Sequence, residues 1–164
     1  MLTKLLIAVV AVAVLGLAVR LYMGRAAEDT LRSGERVDIK ELRDPLPGNS
    51  FLACPPNYCM ATAAPSPIFA RRAGRLEEDW RQMLAAEPGI VVVADEPAQS
   101  RLVVIQHTQM LRFPDIVTAE FVTLDGDRSS IAVYSKSRYG SGDFGTNRRR
   151  VVAWLDRLRQ LAGQ

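Results

Sequence analysis

The sequence predicts an α+β protein: an N-terminal transmembrane helix, then one antiparallel four-stranded sheet with room for a fifth strand and two helices on one face, in the order α-β-β-β-β-α. Three observations predict it. An apolar run opens the chain. Two later segments repeat apolar residues at helical spacing. Between them lie four segments with strand patterning and short links, which favour an antiparallel meander in a layered α+β domain.

The opening run, Leu5 to Val19, is apolar apart from one glycine, and Arg20, Leu21, Tyr22 and Met23 follow it. Nineteen helical positions from 5 to 23 cover about 28 Å at ~1.5 Å per residue, close to a ~30 Å hydrocarbon core. Arg20 can extend its head to the boundary, and Tyr22 suits the interface. The segment 1–27 therefore reads as a signal anchor, with a cleaved signal peptide as the rival. A literal count of flanking bases favours a cytoplasmic domain, whereas the short basic start and the cysteines favour export. The reading adopted is a single-pass protein of a bacterial inner membrane with its domain in the periplasm.

This segment also explains the composition. The whole chain has 21 Lys and Arg against 18 Asp and Glu, a net charge of +3. Residues 1–27 contain 21 hydrophobic residues, three bases and no acid, so the remainder is neutral. The basicity is thus no sign of nucleic-acid binding. The composition also excludes a disordered chain, a coiled coil and a disulfide-dense mini-domain.

Residues 28–50 read as a tether, and 51–164 as the globular domain. Prolines at 45, 47, 55, 56, 65 and 67 give the stretch to residue 70 a loop-like character, pinned to the core by Phe51, Leu52, Ile68 and Phe69. Leu76, Trp80, Met83 and Leu84 form one helical stripe, stopped by Pro88-Gly89. The strands are Ile90–Ala94, Leu102–Gln109, Ile116–Leu124 and Ser130–Arg138. In the third, Val117, Ala119 and Phe121 face one way and Thr118 and Glu120 the other. In the fourth, Ile131 and Val133 oppose Ala132, Tyr134 and Lys136. Asp125-Gly126 predicts a hairpin between these two. A closing helix buries Val151, Trp154, Leu155, Leu158 and Leu161, with Gly163 as its stop.

Gly140-Ser141-Gly142-Asp143-Phe144-Gly145 matches G-x-G-x-x-G formally. A dinucleotide site also needs a βαβ unit and an acidic residue ~20 positions on, and only one helix follows here. The glycines still permit an unusual turn. Thr146 or Asn147 can cap the helix. Arg148, Arg149 and Arg150 then crowd the positive end of the helix dipole, which calls for compensation. Asp143 pairing with one arginine is the internal answer, and an anion held by backbone N–H groups and arginines is the functional one. Residues 136–164 carry a net +5, and residues 28–135 a net −5.

Cys54 and Cys59 are the only cysteines. A disulfide between them would contribute about 2 kcal/mol in the chain-entropy model. Reduced structural thiols come next, and a redox or metal role last, since no C-x-x-C motif is present. Two ligands and a single histidine, His107, make no zinc site, and no cofactor is expected. His107 reads as a surface or edge-strand residue. Neither G-x-S-x-G nor H-E-x-x-H occurs.

Three stretches resemble the domain of unknown function 1499, a family of bacteria and plastid-bearing eukaryotes: the loop Cys54–Cys59; Arg112-Phe113-Pro114-Asp115 running to Glu120-Phe121; and Ser137-Arg138-x-Gly140-x-x-Asp143-x-Gly145-x-Asn147-Arg148-x-Arg150. The resemblance covers about residues 51–160. The cysteine loop is one residue shorter than the family's usual form, and Met60-Ala61-Thr62 replaces its Val-Ser-Ser. The family has no established activity. Its members are often anchored or exported, so the resemblance implies a domain type without a reaction.

The expected role is a non-catalytic, membrane-anchored envelope domain. It would bind an anionic small molecule, a lipid headgroup or a protein partner beside Arg138, Gly140, Asp143, Asn147, Arg148 and Arg150. The rival is an enzyme using Arg138 and Asp143 as polar catalytic groups. In a third reading the cluster only locks the last strand to the last helix.

Overall fold

Twenty residues from Thr3 to Tyr22 form a helix apolar enough to cross a membrane or to serve as a signal segment, and none of that stretch is covered by the rest of the protein. They belong to α1 (Leu2–Arg32), which continues beyond the expected anchor. The computed structural model describes residues 2–32, 37–108 and 113–163. Gln109, placed at the end of a strand by its sequence, lies outside the described residues.

The strand segments form β4 (Ile90–Glu96), β5 (Arg101–His107), β6 (Pro114–Thr123) and β7 (Ser129–Ser137), each antiparallel to the next. The sheet itself is larger than expected and is mixed. The Pro-rich arm supplies β1 (Ser50–Cys54), β2 (Ala64–Pro65) and β3 (Ile68–Phe69). The seven-stranded sheet runs β2-β1-β7-β6-β5-β4, with β3 also on β7 and β1–β2 parallel. The physical reason is the free edge of β7. Its N–H and C=O groups need partners, and the short apolar segments 50–54 and 68–69 supply them between the prolines.

Two helices, α2 (Ala73–Ala85) and α3 (Thr146–Leu161), cover one face. Leu76, Trp80, Met83 and Leu84 meet Val151, Trp154, Leu155 and Leu158 over Val104, Val117, Ala119, Phe121, Ile131 and Val133. Trp80 and Trp154 meet edge to face at 5.6 Å, a geometry worth about 1 kcal/mol beyond area burial. Leu161, expected in the stripe, is exposed because it lies in the last turn, beyond the sheet. Arg71 pairs with Asp79 of α2 and donates to the Ala162 carbonyl at 2.9 Å, tying α2 to the end of α3.

The other face is also covered. Ile39, in a single turn capped by the Asp38 carboxylate, packs with Leu42 and Leu46 on Leu52, Ala132 and Tyr134. Part of the stretch read as a tether is thus seated on the sheet. Val103 and Ile105 are buried on this side too, and α1 contacts β4 and β6.

His107 is a correction to the sequence reading: it is buried, on an interior strand between β4 and β6. Its N–H donates to the Gly89 carbonyl at 2.9 Å.

Candidate functional site

The 138–150 segment links β7 to α3, and its polar groups turn inward. Phe144 and Gly145 both take positive φ, 52° and 75°, and this reversal aims the Asp143 carboxylate at the start of α3. Asp143 accepts from the N–H groups of Gly145 at 2.9 Å and Asn147 at 2.7 Å, and from the Asn147 amide at 2.8 Å. Asp143 therefore caps the helix. Thr146 and Asn147, the expected caps, lie inside its first turn. Among the described residues Asp143 meets no arginine, so the expected pairing gives way to backbone capping. Partial burial opposes its charge, but the donors from Asn147 and Gly145 outweigh this and hold the carboxyl below its usual range.

Asn147 is fully buried. Its oxygen accepts from Ser135 Oγ and Arg150, both at 2.6 Å, and its nitrogen donates to the Asn49 carbonyl at 2.9 Å and Ser137 Oγ at 3.0 Å. Arg150 also reaches Asp115 on β6 and Gln106 on β5. These residues share the helical face because register places Gln106 opposite Asp115, and Asp115 opposite Ser137. They cap the apolar core with a hydrogen-bonded polar layer.

The three consecutive arginines have separate fates. Arg148 is exposed, its guanidinium 6.0 Å from the Phe51 ring. Arg149 folds back onto the Phe144 carbonyl at 2.7 Å. Arg150 is buried. Arg138 is half-buried at the end of β7, and its N–H donates to the Pro114 carbonyl at 3.1 Å.

The outward side of the loop is aromatic. A cleft of about 780 Å³ lies between it and the ends of β5 and β6, with Thr108, Phe113, Pro114, Tyr139, Gly140 and Phe144 along its walls. Asp115, Ser137 and Asp143 also line it. The Phe113 N–H donates to Thr108 Oγ1 at 2.9 Å, setting the wall opposite the loop. Phe144 is 98% exposed.

Sequence reasoning missed Asn49, Gln106 and Ser135. Asn49 donates to the carbonyls of Ser137 at 3.1 Å and Gly140 at 2.7 Å, fastening the loop to the start of β1. The available signal was Gly48-Asn49 before a short apolar run: a Cβ on Gly48 would come within 3.1 Å of the Ser141 carbonyl oxygen.

A second polar cluster lies on the opposite face. Glu120 is buried; it accepts from Tyr58 Oη at 2.8 Å and from Arg101 Nε at 2.9 Å. Arg101 also meets Glu96 at 3.3 Å and Asp38 at 3.5 Å. Burial first, then the bond to Glu120, pushes the Tyr58 phenol up. Cys54 and Cys59 are at disulfide-bonding distance, their Cα atoms 6.2 Å apart. Among the described residues, no group of three or more His, Cys, Asp and Glu side chains is placed to hold a metal ion.

The comparison with curated proteins finds no match. A family model does match residues 44–158, a stretch that begins before Asn49 and ends within α3, and so takes in the sheet, both covering helices and the loop 138–150. The chain therefore belongs to the family described as "Protein of unknown function (DUF1499)".

Proposed function

We propose a membrane-tethered, non-catalytic binding domain of the bacterial envelope, whose cleft between residues 108 and 146 takes an anionic lipid of the membrane that holds it. In this reading the N-terminal helix is the anchor, and the domain it holds, which includes the seated part of 28–50, lies on the periplasmic side.

Phe144 carries this reading. A phenylalanine in left-handed backbone costs about 1–2 kcal/mol, and one fully in water gains nothing from burial. The Asp143 cap offsets the backbone strain, but the ring stays in water in the folded protein and would gain burial from an apolar ligand. Phe113 and Tyr139, each about two-fifths exposed, face the same cleft. A lipid chain matches such walls. The net +5 of residues 136–164, with Arg148 exposed and Arg138 at the end of β7, favours a negative headgroup.

The Asp143 carboxylate occupies the helix N-terminus, which favours a headgroup held elsewhere along the cleft. An enzyme using Arg138 and Asp143 has less support for the same reason.

Reconstitution of the full chain into vesicles with a phospholipid bearing a diazirine in its acyl chain tests this reading. Illumination should label α1 and, separately, the peptide containing Tyr139 and Phe144. Phe144→Ser should lose the second label and keep the first. Label confined to α1 in the wild type would overturn the proposal.

A further inference from the structure

We propose that the Cys54–Cys59 pair is a thiol–disulfide exchange site, reducible in the folded protein by a dithiol, and that it controls whether Tyr58 stays bonded to Glu120 in the wall of a polar pocket. This rests on the opposite face of the sheet and is independent of the lipid cleft.

The first observation is access. A surface pocket of about 290 Å³ is lined by Cys54, Cys59, Pro55, Pro56 and Pro65, so the sulfur pair borders solvent. Cys54 ends β1 and is buried, whereas Cys59 is half-buried. An incoming thiolate therefore has its path to Cys59 Sγ.

The second observation is what the loop holds. Tyr58 is the residue before Cys59, and its hydroxyl donates to Glu120 at 2.8 Å. Lys40 places its ammonium 4.8 Å from the Tyr58 ring centroid. Beyond the ring is a second cavity of about 480 Å³, bordered by Asp38, Lys40, Ser100, Arg101 and Glu120. The cysteine loop thus has sulfur on one side and, through Tyr58, one wall of a charged cavity on the other. Asn57 of the loop takes left-handed backbone, φ 60°, in the turn that presents Tyr58.

The exchange balances with a dithiol alone. One thiolate of the reductant attacks Cys59 Sγ, the Cys54–Cys59 bond breaks, and Cys54 leaves as a thiolate that takes a proton. The second thiol of the reductant then attacks its own sulfur in the mixed disulfide. Cys59 is released as a thiolate, and the reductant becomes a disulfide. Two electrons pass to the protein, and the reductant is oxidised by two. Tyr58 then releases Glu120, because it is no longer held by a closed loop.

The test uses the full chain in detergent micelles. The oxidised protein is treated with dithiothreitol under native conditions and alkylated, and adducts are counted by mass spectrometry. The Tyr58 ionisation is read as the absorbance difference between wild type and Tyr58→Phe. Hydrogen exchange of residues 55–61 gives a second readout. The expected result is alkylation of both cysteines with helix and sheet content intact, a Tyr58 ionisation lowered by about one pH unit or more, and tenfold or faster exchange in the loop. Cysteines that react only as the chain unfolds would overturn the proposal. So would reduced cysteines with unchanged Tyr58 ionisation and loop exchange, or global unfolding on reduction.

Discussion

Arg150 of α3 and Asp115 of β6 form an ion pair in which both side chains are almost fully buried, at 6% and 4% exposure. Thirty-five residues separate them in sequence. The pair is not isolated, since Arg150 also donates to Gln106, Ser135 and Asn147. Breaking such a pair strands a buried carboxylate, at a cost of about 3–5 kcal/mol. Arg150→Ala should lower stability by that amount in chemical denaturation. Arg150→Lys should recover little, because an ammonium cannot reproduce the guanidinium fork.

Arg148, two positions earlier, should behave oppositely. It is exposed and touches the Phe51 ring at 6.0 Å. Such a contact is worth about 0.5 kcal/mol. Arg148→Ala should therefore leave the unfolding midpoint nearly unchanged and weaken labelling by an anionic lipid more than by a zwitterionic one.

Asp143→Ala should cost about 1 kcal/mol, the usual loss for a helix cap. The pH dependence has a definite sign. The folded carboxyl lies below its ordinary value, so its contribution is present above about pH 4 and is lost as pH falls through the folded value. Asp143→Asn should flatten that acid limb in denaturation curves measured from neutral pH downward.

Phe144→Gly should raise stability while removing lipid labelling. Glycine accepts φ 52° without strain, a relief of about 1 kcal/mol. A variant that is both more stable and unlabelled would separate the residue's binding role from any role in the fold.

Tyr58→Phe should alter the alkaline limb. The phenol is raised by burial and by Glu120, so wild-type stability is present below about pH 10 and falls as pH rises above it. The variant should lose this dependence, measured by urea unfolding across that range.

Much of the layer architecture was legible in the chain. Val117, Ala119 and Phe121 alternate with Thr118 and Glu120, so the pleat alone assigns the two faces of β6. The stripe from Leu76 to Leu84 likewise declares its buried side. The arm was not legible in the same way. Phe51, Leu52, Ile68 and Phe69 lie in runs too short to show a period, and they are strands only because β7 offers them an edge. The capping residue was misplaced for a related reason. Asp143 caps from three residues before α3, which requires the positive φ at Phe144 and Gly145 that no spacing rule reveals.

The sequence by itself determined the apolar helix, the meander and its two covering helices, and the family, because each rests on local periodicity or on residues near one another in the chain. Only the tertiary structure decided which polar groups are occupied and which surface is open. Asn147 and Arg150 turned out to be bonded inward to residues from 10 to 98 positions away, while the cleft beside them is walled by Phe113, Tyr139 and Phe144. Burial and hydrogen bonding at such separations depend on strand register and helix docking, and these are set by the packed core as a whole.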